Sequence, residues 1–367
     1  MHSGVLMKIA VDIRMINKSG VGRYLRSFFP DLIKQKAHFF YLIGFEDDLK
    51  DIKDSGNIEK IIAKKGIYSP LSHFEFVKLV PGCDIFFSPH FVAPAFRIKA
   101  KRRVITIHDV FHISDYSTLR FFEKVYMRYL YSSSALRADD IITVSGFSKS
   151  EIGRFLNTGK ADITVINNFV DTDNFYPLDD KAKALYKKDL FNHDFEFILY
   201  VGNIKPHKNL NRLIHAFSQI GDKSLHLVVV GEKENFLKKD SEFDKTLAET
   251  ERVIFTGYID DTRLRALYNL AKFFVFPSFY EGFGLPPLEA IACGTPVAVS
   301  DIPVLREVCG DGAIYFNPFS VDDIKEKIEI FNRDDNLRKE TLLKGKQRLA
   351  RFSKRDCIES HLKLLFG

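Results

Sequence analysis

The densest chemistry lies in one run, Phe276–Asp301, which reads FPSFYEGFGLPPLEAIACGTPVAVSD. An apolar strand ends at Phe276, a loop holding Gly282 and Gly284 follows, and a helix is predicted to open near Pro286–Pro287, where the missing proline N–H costs nothing. A glycine-containing loop feeding a helix N-terminus is an anion site, because free backbone N–H groups converge there and the helix dipole adds positive potential. Glu281 sits in this loop at the carboxyl edge of the strand, and Glu289 about one turn into the helix. Carboxylates so placed would not hold a phosphate; they accept hydrogen bonds from hydroxyls, as on a ribose and a hexose. For Glu289 the alternative is a helix cap.

Three further runs carry polar groups at strand ends. Ile198–Phe217 (ILYVGNIKPHKNLNRLIHAF) gives strand, Gly202, basic loop and amphipathic helix, with Lys208 expected at the helix entry as a point charge for a diphosphate. Lys205 and His207 are its neighbours, and a solvated basic loop is the alternative reading. In Asp12–Phe28 (DIRMINKSGVGRYLRSF), Gly20 and Gly22 are expected to precede a helix. This G-x-G lacks the third glycine of the dinucleotide fingerprint, so it reads either as a loop of close backbone approach to a phosphate or sugar, or as a tight turn. In Val104–His112 (VITIHDVFH), His108 and Asp109 lie at the carboxyl end of a buried strand, where open α/β sheets place ligand groups. FFSPHFVAP puts Ser88 and His90 at another strand end, and ITVSGFSKSEI puts Ser145 at a third, with Ser148 read as the cap of the next helix.

The elements that must position these groups are legible as alternation. Short apolar, β-branched runs recur at Lys8–Ile13, Phe39–Ile43, Asp84–Phe87, Val104–Ile107, Ile141–Val144 and Ile163–Ile166. A second series follows at Phe197–Val201, Leu225–Val230, Val253–Phe255, Phe273–Phe276, Pro296–Val299 and Ala313–Phe316. Continuously apolar runs separated by helix-period stretches predict an α/β chain with parallel sheets buried on both faces. The pattern breaks over Asp171–Asp194, so two sheets of roughly six strands fit better than one of twelve. Val321–Phe331, Asp335–Arg351 and Arg355–Phe366 read as closing helices.

Composition agrees. The chain has 367 residues, 46% hydrophobic and 28% charged, which excludes a disordered or disulfide-stapled chain. Cys83, Cys293, Cys309 and Cys357 show neither C-x-x-C nor zinc spacing, so the reducing cytoplasm is the expected compartment. A net charge of +6 is too small to indicate a nucleic-acid partner. The amino-terminal MHSGVLMKIAVDIR lacks a signal-peptide pattern, and no apolar run is long enough to span a membrane. Of the 35 Phe, against 14 Tyr and no Trp, Phe39, Phe40, Phe86, Phe87, Phe197, Phe255, Phe273, Phe274 and Phe276 fall within predicted strands and read as core; Phe28, Phe121, Phe122 and Phe283 are left as surface or ligand candidates. Leu119–Arg137 reads as an aromatic, arginine-containing helix, and Arg97, Lys99, Lys101, Arg102 and Arg103 as a basic cluster. Both suit an anionic interface, with core packing as the alternative for the helix.

Taken together, EGFGLPPLEA, SGVGRYL, TIHDVF, ITVSGFSKSEI, VINNFVDTDNFYP, YVGNIKPHKN, FTGYIDDTRLRALY and GDGAIYFNP resemble a retaining nucleotide-sugar glycosyltransferase of family four, over nearly the whole chain. The likeness is strongest to the bacterial branch acting on lipopolysaccharide O-antigen and capsule, often mannosyl- or rhamnosyltransferases. It implies a GT-B fold, α/β, with two Rossmann-like doubly wound domains facing a cleft. Residues 1–175 would bind the acceptor, residues 176–352 the donor, and a C-terminal helix at 353–367 would pack back on the first domain. His108, Glu281 and Lys208 would be catalytic. Donor contacts would come from Gly22, Asn203, Lys205, Tyr258, Ile259, Phe283, Gly284, Leu285 and Glu289. His90, Asp109 and Ser145 are the acceptor-side candidates. The resemblance implies no cofactor and no metal. It points to a nucleotide-sugar donor with GDP-mannose favoured, and to a lipid-linked saccharide acceptor met at the inner face of the cytoplasmic membrane. Asn203 stands where many members have arginine, with Lys205 as the nearby basic side chain, and Phe169 replaces a glycine of the family. A nucleotide-sugar epimerase, a phosphorylase and a non-catalytic sugar-nucleotide-binding subunit are the competing readings.

Overall fold

The computed structural model describes residues 6–115, 117, 119–191, 194–231 and 251–367. Residues 1–5 of the amino-terminal stretch read above for a leader lie outside them. The chain divides into two compact units, one running to Asn168 and rejoined by Arg355–Gly367, the other Phe169–Lys354.

The first unit is built on β1 (Lys8–Asp12), β2 (Phe39–Gly44), β3 (Ile58–Ile62), β4 (Cys83–Ser88), β5 (Ala100–Thr106), β6 (Asp140–Thr143) and β7 (Asp162–Val165). They form a seven-stranded sheet of order β3-β2-β1-β4-β5-β6-β7. Between them run α1 (Ser19–Ile33), α2 (Glu46–Leu49), α3 (Pro70–Leu79), α4 (Phe121–Ala135) and α5 (Gly146–Phe155). The second unit carries α6 (Asp180–Leu190), α7 (Leu210–Ser218), α8 (Asp261–Leu270), α9 (Leu285–Ala292), α10 (Pro303–Cys309), α11 (Val321–Arg333) and α12 (Asp335–Leu349). Its strands β8 (Phe197–Val201), β9 (His226–Val230), β10 (Val253–Gly257), β11 (Phe273–Phe276), β12 (Val297–Ser300) and β13 (Ile314–Phe316) form a sheet of order β10-β9-β8-β11-β12-β13. Every strand pairing in both sheets is parallel. The α/β, doubly wound GT-B-type reading is therefore the observed one. α13 (Lys354–Phe366) closes the chain and, from Arg355 on, packs in the first unit.

Central strands bury every residue of their apolar runs, as at Ile9–Val11 and Phe273–Val275, which is why they were readable without periodicity. β3 (IEKII) was not anticipated. It pairs only with β2 and carries Glu59 and Lys60 with its apolar residues half-buried or exposed, the profile of a charged edge strand. The segment 169–175 joins the second unit because Phe169, Val170 and Phe175 are buried and Phe175 packs edge-on against Tyr268 at 6.0 Å. Phe169 thus fills core where the related motif has glycine.

Candidate functional site

In both sheets the strand order reverses once, between β8 and β11 in the second and between β1 and β4 in the first. At such a point adjacent loops diverge to opposite faces and leave a crevice at the carboxyl ends of the strands. Lys208, Glu281 and Gly284 lie on the loops at the β8–β11 point and Gly22 and His90 after β1 and β4, whereas His108, Asp109, Ser145 and Tyr258 follow other strands.

In the second unit the loop after β8 and the loop after β11 meet. The Lys208 ammonium donates to Glu281 Oε1 at 2.6 Å, the two residues lying 73 apart in sequence. Both side chains are largely covered, with 19% and 11% exposure, and the ammonium also lies over the Phe276 ring. A backbone bond from Phe279 N–H to the His207 carbonyl, 2.8 Å, stitches the loops together. Lys208 does not open the helix as expected. It ends a 3-10 turn, Pro206–Lys208, and Asn209 intervenes at φ 57 before α7. Asparagine tolerates that left-handed conformation better than other side-chain-bearing residues. Here it is fixed by its amide, which donates to the carbonyls of Pro277 (3.0 Å) and Pro318 (2.8 Å). The K-N pair ahead of an amphipathic helix was the one sequence signal for this clamp.

Gly284 stands at φ 98 just before α9, and a Cβ there would lie 2.7 Å from Leu305. Only glycine fits this junction. Pro286 and Pro287 remove two first-turn N–H donors, so the helix-end donors narrow to Leu285 and the amides preceding it. Phe283 is 4% exposed and packs edge-on against Phe352, so its ring is core and not a ligand platform. Glu289 is buried, and the Tyr268 hydroxyl of α8 donates to its Oε2 at 3.0 Å. Its carboxylate is thus oriented by a neighbouring helix. Asn203 and Lys205 are exposed, Tyr258 projects from the end of β10 at 82% exposure, and Ile259 beside it is half-buried.

In the first unit His108 follows β5. Its Nε2 lies 2.9 Å from the Pro89 carbonyl, which can only accept, so Nε2 carries the proton. Burial holds the imidazole below its ordinary pKa, with the Pro89 carbonyl and Asp109 pulling the other way. The Tyr24 ring stands edge-on to it at 4.6 Å. Tyr24 is itself held from α13: its hydroxyl lies 2.7 Å from His361 Nε2, and His361 Nδ1 lies 2.8 Å from the Cys357 carbonyl. That carbonyl accepts from Nδ1–H, so Nε2 accepts from Tyr24. Burial pushes the His361 imidazole down to about 4.

His90 is 3% exposed, with both ring nitrogens engaged. Val92 N–H donates to Nδ1 at 3.0 Å, so Nε2–H faces Asp12 Oδ2 at 3.2 Å. Asp12 also takes two bonds from the guanidinium of buried Arg14, at 2.9 and 2.7 Å, and one from its backbone N–H at 3.2 Å. Burial alone would raise the Asp12 carboxyl, but Arg14 and His90 override it and hold it well below its usual range. The group ties β1 to the β4 exit, which makes His90 a structural support. Asp109 accepts from Phe111 N–H at 2.9 Å, a local turn. The cap of α5 is Ser145, which accepts from Ser148 N–H at 3.0 Å; Ser148 instead donates its hydroxyl to the His108 carbonyl at 2.9 Å. Gly20 and Gly22 do not precede α1 but sit in its first turn. Phe28 is 1% exposed and stacks on His361 at 4.1 Å, which removes it from the surface candidates.

The family description "Glycosyltransferase Family 4" matches residues 18–174 and "Glycosyl transferases group 1" matches 182–348. An O-antigen chain mannosyltransferase B of Escherichia coli is 32% identical over 286 residues, 74% of this chain and 71% of that protein. The O-antigen chain mannosyltransferase RfbU of Salmonella typhimurium is 34% identical over 220 residues, 59% of this chain and 57% of the relative. The match to the serotype-specific mannosyltransferase WbdA of Escherichia coli, 34% identical, spans only 27% of that longer protein and 59% of this chain. Among solved structures, sucrose-phosphate synthase from Thermosynechococcus elongatus superposes with TM-score 0.77 at 19% identity, covering 98% of both chains. Anabaena HepE in complex with UDP-glucose does so with TM-score 0.77 at 16% identity, covering 98% of this chain and 99% of that one.

Proposed function

The chain belongs to the family 4 glycosyltransferases, and from that premise we propose that it moves a hexose from a nucleoside-diphosphate sugar to a saccharide acceptor, with mannose from GDP-mannose as the favoured donor. The observation that carries the reading is the convergence of Lys208 and Glu281 at the β8–β11 switch point, beside the start of α9. A cation and a helix N-terminus there suit a departing diphosphate, and a carboxylate beside them suits sugar hydroxyls. The acceptor oxygen bonds to the anomeric carbon as the carbon–oxygen bond to the diphosphate breaks. The acceptor attacks from the face the diphosphate leaves, so configuration is retained; the electron pair departs with the diphosphate, whose oxygen takes the acceptor proton. Lys208 and the backbone amides of Gly284 and Leu285 take the developing negative charge, and no divalent cation is part of this proposal. Glu281 orients the sugar, Glu289 the ribose, Tyr258 and Ile259 flank the base, and His108 contacts the reacting sugar.

The acceptor in this reading is lipid-linked and reached from a membrane surface. No helix among the described residues is long and apolar enough to cross a bilayer. Surface contact is supported by α4: Met127, Leu130 and Tyr131 are buried, while Phe121, Phe122, Val125 and Tyr129 stand 74%, 84%, 51% and 51% exposed. Arg128 lies exposed among them, and the nearby Glu123 is turned back onto the Arg120 N–H. An aromatic stripe with arginine, its one neighbouring acid engaged by a backbone N–H, suits an anionic interface. The basic cluster contributes less than expected: Lys101 pairs with Asp84, Arg102 with Asp140, and Arg103 donates to the Phe96 and Pro94 carbonyls.

A thermal-shift panel of GDP-mannose, UDP-glucose and dTDP-rhamnose tests the donor. A ligand at about 100 Kd stabilises by roughly 2.7 kcal/mol. The expected result is stabilisation by GDP-mannose that Lys208→Ala abolishes; no response to any nucleotide sugar would refute the reading.

A further inference from the structure

The Lys208–Glu281 ion pair poses a question of succession. If Lys208 holds the donor diphosphate, a dianionic group competes with one carboxylate for a single ammonium. Once the ammonium turns, the Glu281 carboxylate, 11% exposed, loses a partner at 2.6 Å. A carboxylate left unpaired in such a place would swing or protonate, and could no longer orient the sugar. The sugar hydroxyls take one side of the carboxylate, and a donor from inside the protein would fix the other.

Tyr200 supplies one. It is the fourth residue of β8, the strand that leads into the Lys208 loop, and it is fully buried. Its hydroxyl has no hydrogen-bond partner among the described residues, which is uncommon for a buried phenol. The hydroxyl lies beneath the turn into that loop, 3.3 Å from the point where a side chain on Gly202 would begin. Burial first, and then the field of the Glu281 carboxylate, push the phenol above its ordinary pKa, so the group keeps a proton to donate. Ser278, three residues ahead of Glu281, is likewise fully buried, its hydroxyl without a partner among the described residues.

We propose that Tyr200 is a positioning residue whose hydroxyl takes over the Glu281 carboxylate when Lys208 turns to the donor diphosphate. The proposal rests on the reading of Lys208 and Glu281 as the donor-binding pair. It assigns Tyr200 no contact with substrate; it acts through Glu281.

The test is Tyr200→Phe, which keeps ring and volume and removes one oxygen, beside Lys208→Ala, with GDP-mannose as donor. In the free protein Tyr200→Phe is expected to melt at the wild-type temperature or higher, because the deleted hydroxyl has no partner to lose. The donor KM should rise about tenfold, the scale of one hydrogen bond to a charged group, with the acceptor KM unchanged. The stabilisation by GDP-mannose should shrink correspondingly. An unchanged donor KM in Tyr200→Phe, together with a raised one in Lys208→Ala, overturns the Tyr200 proposal and leaves the donor site standing. A lowered melting temperature of free Tyr200→Phe also overturns it, since the hydroxyl would then be bonded at rest. Unaltered donor binding in Lys208→Ala overturns the donor-site reading itself.

Discussion

Gly22→Ala separates two roles that the glycine pair of α1 could play. A Cβ at Gly22 would stand 2.6 Å from the Ile16 carbonyl oxygen and 2.7 Å from that of Met15. Both are backbone atoms of the loop joining β1 to α1. The Arg26 guanidinium donates to the same Ile16 carbonyl, and Met15 and Ile16 are themselves buried, so the loop has little room to retreat. Overpacking against such a wall costs about 1–3 kcal/mol. For a domain of this size that is a fall in Tm of roughly 2–12 °C. At Gly20, two residues away in the same helical turn, a Cβ would meet nothing within 4 Å. Gly20→Ala therefore brings only the helix-propensity gain, up to about 1 kcal/mol and less in a first turn, and should raise Tm slightly. Differential scanning calorimetry on the two variants reads opposite signs from one chemical change. If Gly22→Ala unfolds at the wild-type temperature and loses donor affinity instead, the close-packing argument is wrong and Gly22 serves ligand approach.

Further consequences can be checked in the same preparation. Lys208→Ala and Glu281→Ala should each lower turnover at least about tenfold, the scale of one lost electrostatic contact, and wild-type rates in both would refute the site. Phe121→Ser with Phe122→Ser should reduce sedimentation with phosphatidylglycerol vesicles without changing Tm, since both rings are exposed; retained binding would remove α4 from the membrane reading. His361 is held neutral, its pKa pushed down to about 4 from 6.5. Between those values the unfolded chain binds more protons, so the contribution is complete above pH 6.5 and is lost as pH falls toward 4, up to about 3 kcal/mol. Stability measured by denaturant across that window should slope more steeply in the wild type than in His361→Gln, and parallel profiles would count against a neutral buried His361.

The amino-acid order alone placed twelve of the thirteen named strands, because runs such as FILYV and FFVF are apolar throughout and need no partner to be recognised. It also placed Glu281 and His108 at strand exits, since glycine, proline and charge punctuate those exits locally. It missed β3, whose adjacent Glu59 and Lys60 look like surface until a neighbouring strand supplies the ladder. What only the tertiary structure decided is which groups meet. Lys208 finds Glu281 across 73 residues, and Tyr24 finds His361 across 337. Neither pairing leaves a local signal, because it follows from sheet order and from the return of α13. The same packing decides exposure: it buries His90 and Phe283 while leaving Phe121 and Phe122 on the surface. Local propensity and periodicity are written along the chain, whereas burial and charge pairing depend on what the fold brings from elsewhere.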